Sequence, residues 1–459
     1  MNAWLFSTIW LFASFEWISI SLSKYGGMPA WMAWASILAL AMGLAIYHAM
    51  AVGITCALVR HRSRLLQPLA MGSAWTLAEL ARSAWFTGFP WASPGYAHVD
   101  GALHAFAPYI GVMGITWVSS VLAALLAWQS TLGQANWLQR AGLHALVSLG
   151  LIWPVQMNSM GAEELSQSVT LLQANVTPNL KFEEGGRDVQ NWYGEHIRSS
   201  TTQLTIAPET AIAVMGTLKE CQSSHLIEGM DIHPQKAFII GAMERLNEGY
   251  ANAAWALVQG EWHRYHKVHL VPFGEYIPPW FEWFAKWADI PYSNFTSGEN
   301  TTNPLVHHHH VYAVGICYED LFGDEMARLF SQSAHIPTAI VNLSNLAWFG
   351  DGRALDQHLG IGRMRAIEFR RPMLMSTNSG WSAVIDDTGR VVARLPKSQT
   401  GTLSTTYQGV DSALTWYAKW AGQWGHWPLW MACALGILLN PFTAWISALI
   451  RLKKSRMPL

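Results

Sequence analysis

The stretch Val314-Gly315-Ile316-Cys317-Tyr318-Glu319-Asp320 puts a thiol where an apolar run gives way to carboxylates. The run before it, Val311-Tyr312-Ala313-Val314, is short and almost continuously apolar, the pattern of a strand covered on both faces. Cys317 is therefore expected at a strand end. Alone, such a cysteine reads as a small core residue. Two other segments change its weight. Ile206-Ala207-Pro208-Glu209-Thr210 sets a carboxylate just past a strand, and Tyr265-His266-Lys267-Val268-His269-Leu270-Val271-Pro272-Phe273-Gly274-Glu275 sets an ammonium near another. Singly, Glu209 reads as a helix cap and Lys267 as a surface charge. Together they supply what a cysteine nucleophile needs: a base for its proton, and a positive group for thiolate and oxyanion. No histidine is required.

Working outward, apolar runs at 169–174, 203–206, 237–240, 339–343 and 373–376 read as further strands, and 359–369 as a helix before the last of them. Strands alternating with helices over residues 168–410 predict a layered α/β sandwich. Adjacent histidines at His307 to His310 point to opposite faces of a strand, so they read as a solvated loop or edge and not a metal site. Cys221 shares this polar middle, and a disulfide to Cys317 is the rival reading if the region is extracytoplasmic.

The flanks differ. The 459-residue chain is 51% hydrophobic and 13% charged, carries 26 tryptophans and has a formal net charge of −1. That composition indicates a membrane protein with aromatic-rich boundaries, and no global field to recruit nucleic acid. Apolar runs fall at roughly 3–22, 29–59, 65–84, 108–128, 142–157 and 427–450, the last interrupted by Pro441. Glu16 and the lack of a basic start argue against a signal peptide. Glu79 and Arg82, near the end of the third run, have to pair or reach the interface. Cys56 and Cys433 sit in apolar runs and read as buried thiols. The cluster Arg60-His61-Arg62-Ser63-Arg64, Arg140 and the basic tail at Arg451, Lys453, Lys454 and Arg456 fit one topology of six spans, with both termini inside and the polar middle outside. Lys24 is the mild exception.

With these residues in place, the chain resembles the nitrilase superfamily with its Glu-Lys-Cys triad. Within it, the chain is most similar to the apolipoprotein N-acyltransferase family, whose nitrilase-like domain lies between membrane helices. The resemblance rests on Arg264-Tyr265-His266-Lys267 running into His269-Leu270-Val271-Pro272-Phe273-Gly274-Glu275, and on Ile316-Cys317-Tyr318-Glu319. Asn342-Leu343-Ser344-Asn345, Ala347-Trp348-Phe349-Gly350, Thr87-Gly88-Phe89-Pro90-Trp91 and Trp427-Pro428-Leu429-Trp430 extend it over nearly the whole chain. It implies about five transmembrane helices over 1–160, a nitrilase-like α-β-β-α sandwich over 168–410 facing the extracytoplasmic side of a bacterial inner membrane, and a final helix over 425–452.

It also implies Glu209 as general base, Lys267 as charge stabiliser and Cys317 as nucleophile, with Glu275, Tyr318, Glu319, Trp348 and Phe349 around the substrate. A phospholipid acyl donor and a diacylglyceryl lipoprotein acceptor are implied, with no metal or cofactor and no nucleic acid. Ala207 stands where the family carries tryptophan, Leu346 where it carries aspartate, and the first apolar run aligns with the family's third membrane helix. These departures resemble a shorter branch associated with conjugal transfer, the TraB-type proteins. The alternatives from other classes are a membrane-tethered carbon–nitrogen hydrolase that gives the thioester to water, and a non-catalytic component of a transfer apparatus.

Overall fold

A computed structural model describes residues 1–59, 66–129, a few positions between 137 and 147, 165–178, 186–218, 235–283, 295–299 and 304–455. The basic loop at 60–64, Arg140, most of the apolar run at 142–157, and Cys221 lie outside the described residues. The chain divides into two compact units. One comprises Met1–Glu16, Trp34–Gln156 and Trp424–Leu459; the other comprises Trp17–Ala33 and Met157–Gln423. The segment 17–33 thus groups with the polar middle.

In the first unit, α1 (Asn2–Ser14), α2 (Ala30–Val59), α3 (Gln67–Ala84), α4 (Ala107–Gln129) and a C-terminal helix (Trp427–Ser455) are strongly apolar or small-residue rich. Against six expected crossings, two helices among the described residues are long and apolar enough to cross a membrane, or three if Asn2–Ser14 and Ile18–Tyr25 form one broken span. α2 has 30 residues, about 45 Å of helix against a hydrocarbon core of about 30 Å, longer than one crossing needs. α3 is helical but more polar. Its Glu79 is fully buried and takes Arg82 Nη2 at 2.6 Å and His48 Nε2 at 2.9 Å, so the charges are met inside the unit. The C-terminal helix runs on through Pro441, with Trp427–Asn440 as its apolar part. Cys433 is buried as expected, but Cys56 is exposed on the outward side of α2. An apolar run long enough to face lipid does not bury every small residue in it.

The second unit is built on strands. These are β1 (Leu165–Gln173), β2 (Leu204–Ile206), β3 (Ile212–Gly216), β4 (Ala237–Arg245), β5 (Tyr250–Val258), β6 (Glu261–His266), β7 (Leu305–His307), β8 (His310–Ile316), β9 (Ala339–Ser344), β10 (Met373–Thr377), β11 (Ala383–Ile385), β12 (Val391–Arg394) and β13 (Gly401–Gly409). One sheet runs β13-β1-β2-β4-β5-β6 with β3 beside β4, and the other runs β12-β11-β10-β9-β8-β7. Each has a parallel centre, β1-β2-β4 and β8-β9-β10, and antiparallel flanks.

Residue parity explains the layers. Val169, Leu171, Ile206 and Ile239 from one sheet meet Ile316, Val341, Leu343 and Leu374 from the other. Their neighbours Leu172, Phe238 and Ile240 turn the other way onto Tyr193 and Ile197 of α5 (Gly186–Ser199). Ala313, Ile340, Met373 and Met375 turn onto α6 (Gly323–Gln332), α7 (Arg353–Phe369) and α8 (Trp416–Trp424). Strands buried on both faces need continuous apolar runs, which is why 169–174, 237–240, 339–343 and 373–376 were readable. Each such Leu or Ile stabilises the sandwich by about 1.5–3 kcal/mol. α7 begins earlier than the expected 359 and stops where Arg370 adopts a left-handed conformation, φ 52°, two residues before Pro372.

His307 and His310 depart from the solvated reading. They pair across a β7–β8 hairpin whose turn is His308 and His309, and both are buried. Gln167 accepts Tyr407 Oη at 2.5 Å and the Tyr312 hydroxyl, while its Nε2 lies 3.2 Å from His307 Nδ1. Burial, with charge repulsion from neighbouring histidines, holds both imidazoles down at about 4. Among the described residues no group of three or more His, Cys, Asp or Glu is placed to hold a metal ion.

Candidate active site

β8 ends at Ile316, and the chain turns at once into a 3-10 turn over Cys317–Leu321. Cys317 takes φ 52°, a left-handed conformation that costs a non-glycine residue about 1–3 kcal/mol and that marks functional turns. It is a free thiol, so no disulfide forms there. Glu319 spans the turn. Its Oε2 accepts the Ile316 N–H at 2.7 Å, and its Oε1 accepts Tyr265 Oη at 2.7 Å, the Val268 N–H at 2.7 Å and the His269 N–H at 3.2 Å. One buried carboxyl thereby ties the end of β8 to the segment following β6. Burial raises its pKa in spite of those donors.

That segment carries Lys267, whose own N–H bonds Asn252 O at 2.8 Å. Lys267 Nζ is buried, 2.9 Å from Glu275 Oε1 and 3.6 Å from Glu209 Oε1. Burial opposes its charge, but the carboxylates of Glu275 and Glu209, with Cys317, outweigh that and hold the ammonium well above its ordinary range. Glu275 Oε2 is fixed by the Val271 N–H at 2.7 Å.

Glu209 sits in the loop after β2, where Thr210 is left-handed at φ 50°. Gly241 on β4 lets this loop approach, since a Cβ there would lie 2.4 Å from Pro208 O and 2.5 Å from Glu209 Cα. Glu209 Oε1 accepts Asn252 Nδ2 at 2.7 Å and its Oε2 accepts the Asn345 N–H at 2.8 Å. Asn252 Nδ2 also bonds Glu275 Oε1 at 2.7 Å, so one amide bridges the two carboxylates.

Cys317 lies within the field of this cluster. Burial raises its thiol well above the usual range. Glu209 and Glu275 add to the rise, while Lys267 and a hydrogen bond from the Asn345 backbone oppose it. The positive group was expected to favour the thiolate; instead burial, reinforced by Glu209 and Glu275 against the single ammonium of Lys267, favours the neutral thiol at rest. A base is then needed at the moment of attack.

The structure brings the buried Glu209, Lys267, Glu275 and Glu319 together with the half-buried Cys317 in this one cluster. Tyr318 is buried beside it, its ring 5.7 Å from His269 and 5.2 Å from Phe322. Trp348 and Phe349 follow Asn345 but pack on the segment 17–25. Trp348 lies 5.2 Å from Tyr25 and Phe349 4.5 Å from Trp17, with Tyr25 Oη donating to Ala347 O at 3.2 Å and Trp17 Nε1 to Gln357 Oε1 at 3.0 Å. Sequence reading missed Asn252. Its only signal is a lone amide in the apolar strand Tyr250–Val258, where a buried polar side chain must have partners.

Comparisons with known proteins agree along the chain. Residues 1–125 match the model of the apolipoprotein N-acyltransferase N-terminal domain, and residues 168–414 match that of carbon-nitrogen hydrolase. An apolipoprotein N-acyltransferase of Verminephrobacter eiseniae is 38% identical over 446 residues, covering 92% of this chain and 82% of the relative. One of Ralstonia nicotianae is 38% identical over 418 residues, covering 89% and 78%. Among solved structures, a CN-hydrolase superfamily protein of Xanthomonas campestris aligns at 17% identity over 52% of this chain and 90% of that chain, with a TM-score of 0.39.

Proposed function

The chain belongs to the apolipoprotein N-acyltransferase family, and on that premise we propose that Glu209, Lys267 and Cys317 move an acyl chain from a phospholipid, through a Cys317 thioester, to the N-terminal amine of a diacylglyceryl lipoprotein. The protein is an acyltransferase of the membrane. The observation that carries the residue assignment is the buried cluster in which Lys267 Nζ stands 2.9 Å from Glu275 and 3.6 Å from Glu209, in the electrostatic field felt by the Cys317 thiol.

In the first half-reaction Glu209 takes the Cys317 proton as Sγ attacks the ester carbonyl. The C–S bond forms, the ester C–O bond breaks, and the leaving alkoxide receives the proton from Glu209. Lys267 meets the charge on the tetrahedral oxygen, a device worth ~3 kcal/mol for one good donor. In the second half the lipoprotein amine attacks the thioester, Glu209 takes the amine proton, and the C–S bond breaks to return the thiol. Glu275 keeps Lys267 charged and in place, and Asn252 bridges both carboxylates through a single amide. The basic clusters Arg60 to Arg64 and Arg451 to Arg456 support a multi-pass inner-membrane chain with this chemistry on the extracytoplasmic side.

The test supplies purified protein with a phospholipid labelled in its acyl chain and a lipopeptide bearing diacylglyceryl-cysteine. N-acylated lipopeptide with little free fatty acid is the expected outcome. Free acid alone, with unmodified lipopeptide, would make the protein a hydrolase.

A further inference from the structure

The left-handed turn at Cys317 is held from before by Glu319, through the Ile316 N–H. A second hold acts from behind. On the neighbouring strand, in register with Gly315, stands Asn342, which is fully buried. Its Nδ2 donates to the Cys317 carbonyl at 3.3 Å and to Asp320 Oδ1 at 2.5 Å, so both amide hydrogens are used within the turn. Its Oδ1 accepts the Ser344 hydroxyl, and Ser344 Oγ in turn lies 3.3 Å from His358 Nε2. Turning the amide over would set its oxygen against the Cys317 carbonyl, which has no proton to give, so that carbonyl determines the orientation. Among the described residues Asp320 Oδ2 finds no hydrogen-bond partner, and it lies 3.6 Å from His358 Nε2.

We propose that Asn342 is a positioning residue for the nucleophile. Held by Asp320 and Ser344, it grips the Cys317 carbonyl and keeps the strained turn closed, so that the thiol faces Glu209 and Lys267. This rests on the function proposed above for Cys317. The groups facing Asp320 are Glu319 on its own turn and His358 and Arg365 of α7, the last of them itself paired with Glu368. Burial pushes its carboxyl up to about 8, against the pull of Arg365, and holds His358 down at about 4. Near neutrality Asp320 is thus an uncharged acid whose Oδ1 serves only as an acceptor. Asparagine can replace it in that role, and leucine cannot.

The experiment measures acyl transfer by Asn342→Leu, Asp320→Asn and Asp320→Leu in the full chain, alongside thermal unfolding. For Asn342→Leu the expectation is a kcat lowered about 10- to 100-fold at little-changed KM, with a melting temperature lowered by the buried groups left unpaired. Asp320→Leu should lose about tenfold in kcat, and Asp320→Asn should recover most of that loss. If Asn342→Leu does not fold, Asn342→Ser, too short to reach the carbonyl, carries the same expectation. Near-native kcat in whichever Asn342 variant folds would overturn the proposal, as would Asp320→Asn failing as badly as Asp320→Leu. Loss of Cys317 acylation in the unmutated protein would instead overturn the underlying function and leave the grip on the turn in place.

Discussion

Two polar clusters are buried in the same sandwich, and they meet the cost of burial in opposite ways. Around Cys317, Lys267 is surrounded by the carboxylates of Glu209 and Glu275. Around Gln167, the partners are His307, Tyr312 and Tyr407, with His310 against Tyr407, all uncharged near neutrality. The first cluster holds full charges because each has an opposite partner and backbone donors; the second is satisfied by hydroxyls and an amide. A charged cluster leaves its excess carboxylate ready to receive a proton, which a nucleophilic thiol must give up. A neutral cluster has nothing comparable to offer chemistry, and fastens β1 and β13 to β7 and β8. The contrast therefore predicts which mutations stop turnover and which only loosen the fold.

The largest effects belong to the charged cluster. Cys317→Ser, Lys267→Met and Glu209→Gln should each lower acyl transfer by roughly 10³-fold or more, because such groups act as a unit. Lys267→Met should also lose about 3–5 kcal/mol of stability, since it strands two buried carboxylates. Substantial turnover in Lys267→Met would break the comparison at its centre. A smaller loss is expected from Asn252→Ala, which removes the amide between the carboxylates. A fall in kcat of about 10- to 100-fold with the fold intact is the outcome to look for in single-turnover assays.

The neutral cluster should respond to acid. Its two histidines have folded pKa values below the unfolded value of about 6.5. Their stabilising contribution is complete above that value and is lost as pH falls toward about 4, where both imidazoles would charge. Thermal melts from pH 7 to 4 should show this loss, and His307→Gln together with His310→Gln should flatten it; an unchanged slope would mean that other groups dominate. Smallest of all, Tyr407→Phe removes one donor to Gln167. It should lower stability by about 1 kcal/mol and leave transfer untouched.

Much of this architecture is legible in the amino-acid sequence. Nearly continuous apolar runs located β1, β4, β8, β9 and β10, because strands covered on both faces show little polar alternation, while β2 was marked only by Leu204 and Ile206 around a threonine. Cys317 stood out because it follows such a run, Glu209 because it lies just past the short strand ending at Ile206, and Lys267 through the segment running on to Glu275. Asn252 and Asn342 did not, since an amide within a strand has no local signature and acquires meaning only from its neighbours across the sheet. His307 and His310 were misread for a related reason. A hairpin turn at His308 returns both flanking side chains to the interior, and spacing alone does not reveal that. Nor could it reveal that Trp17 and Tyr25 pack on Phe349 and Trp348, more than 320 residues away.

The central claim is that Cys317 carries the acyl chain between donor and acceptor. Intact-protein mass spectrometry after purification from membranes, with peptide mapping, tests it most directly. The account predicts a hydroxylamine-labile fatty-acyl adduct confined to Cys317, accumulating without lipoprotein acceptor, discharged when the acceptor amine is added, and absent from Cys317→Ser. An unmodified Cys317 in a preparation that still transfers acyl chains, or an adduct that the amine leaves in place, would contradict it.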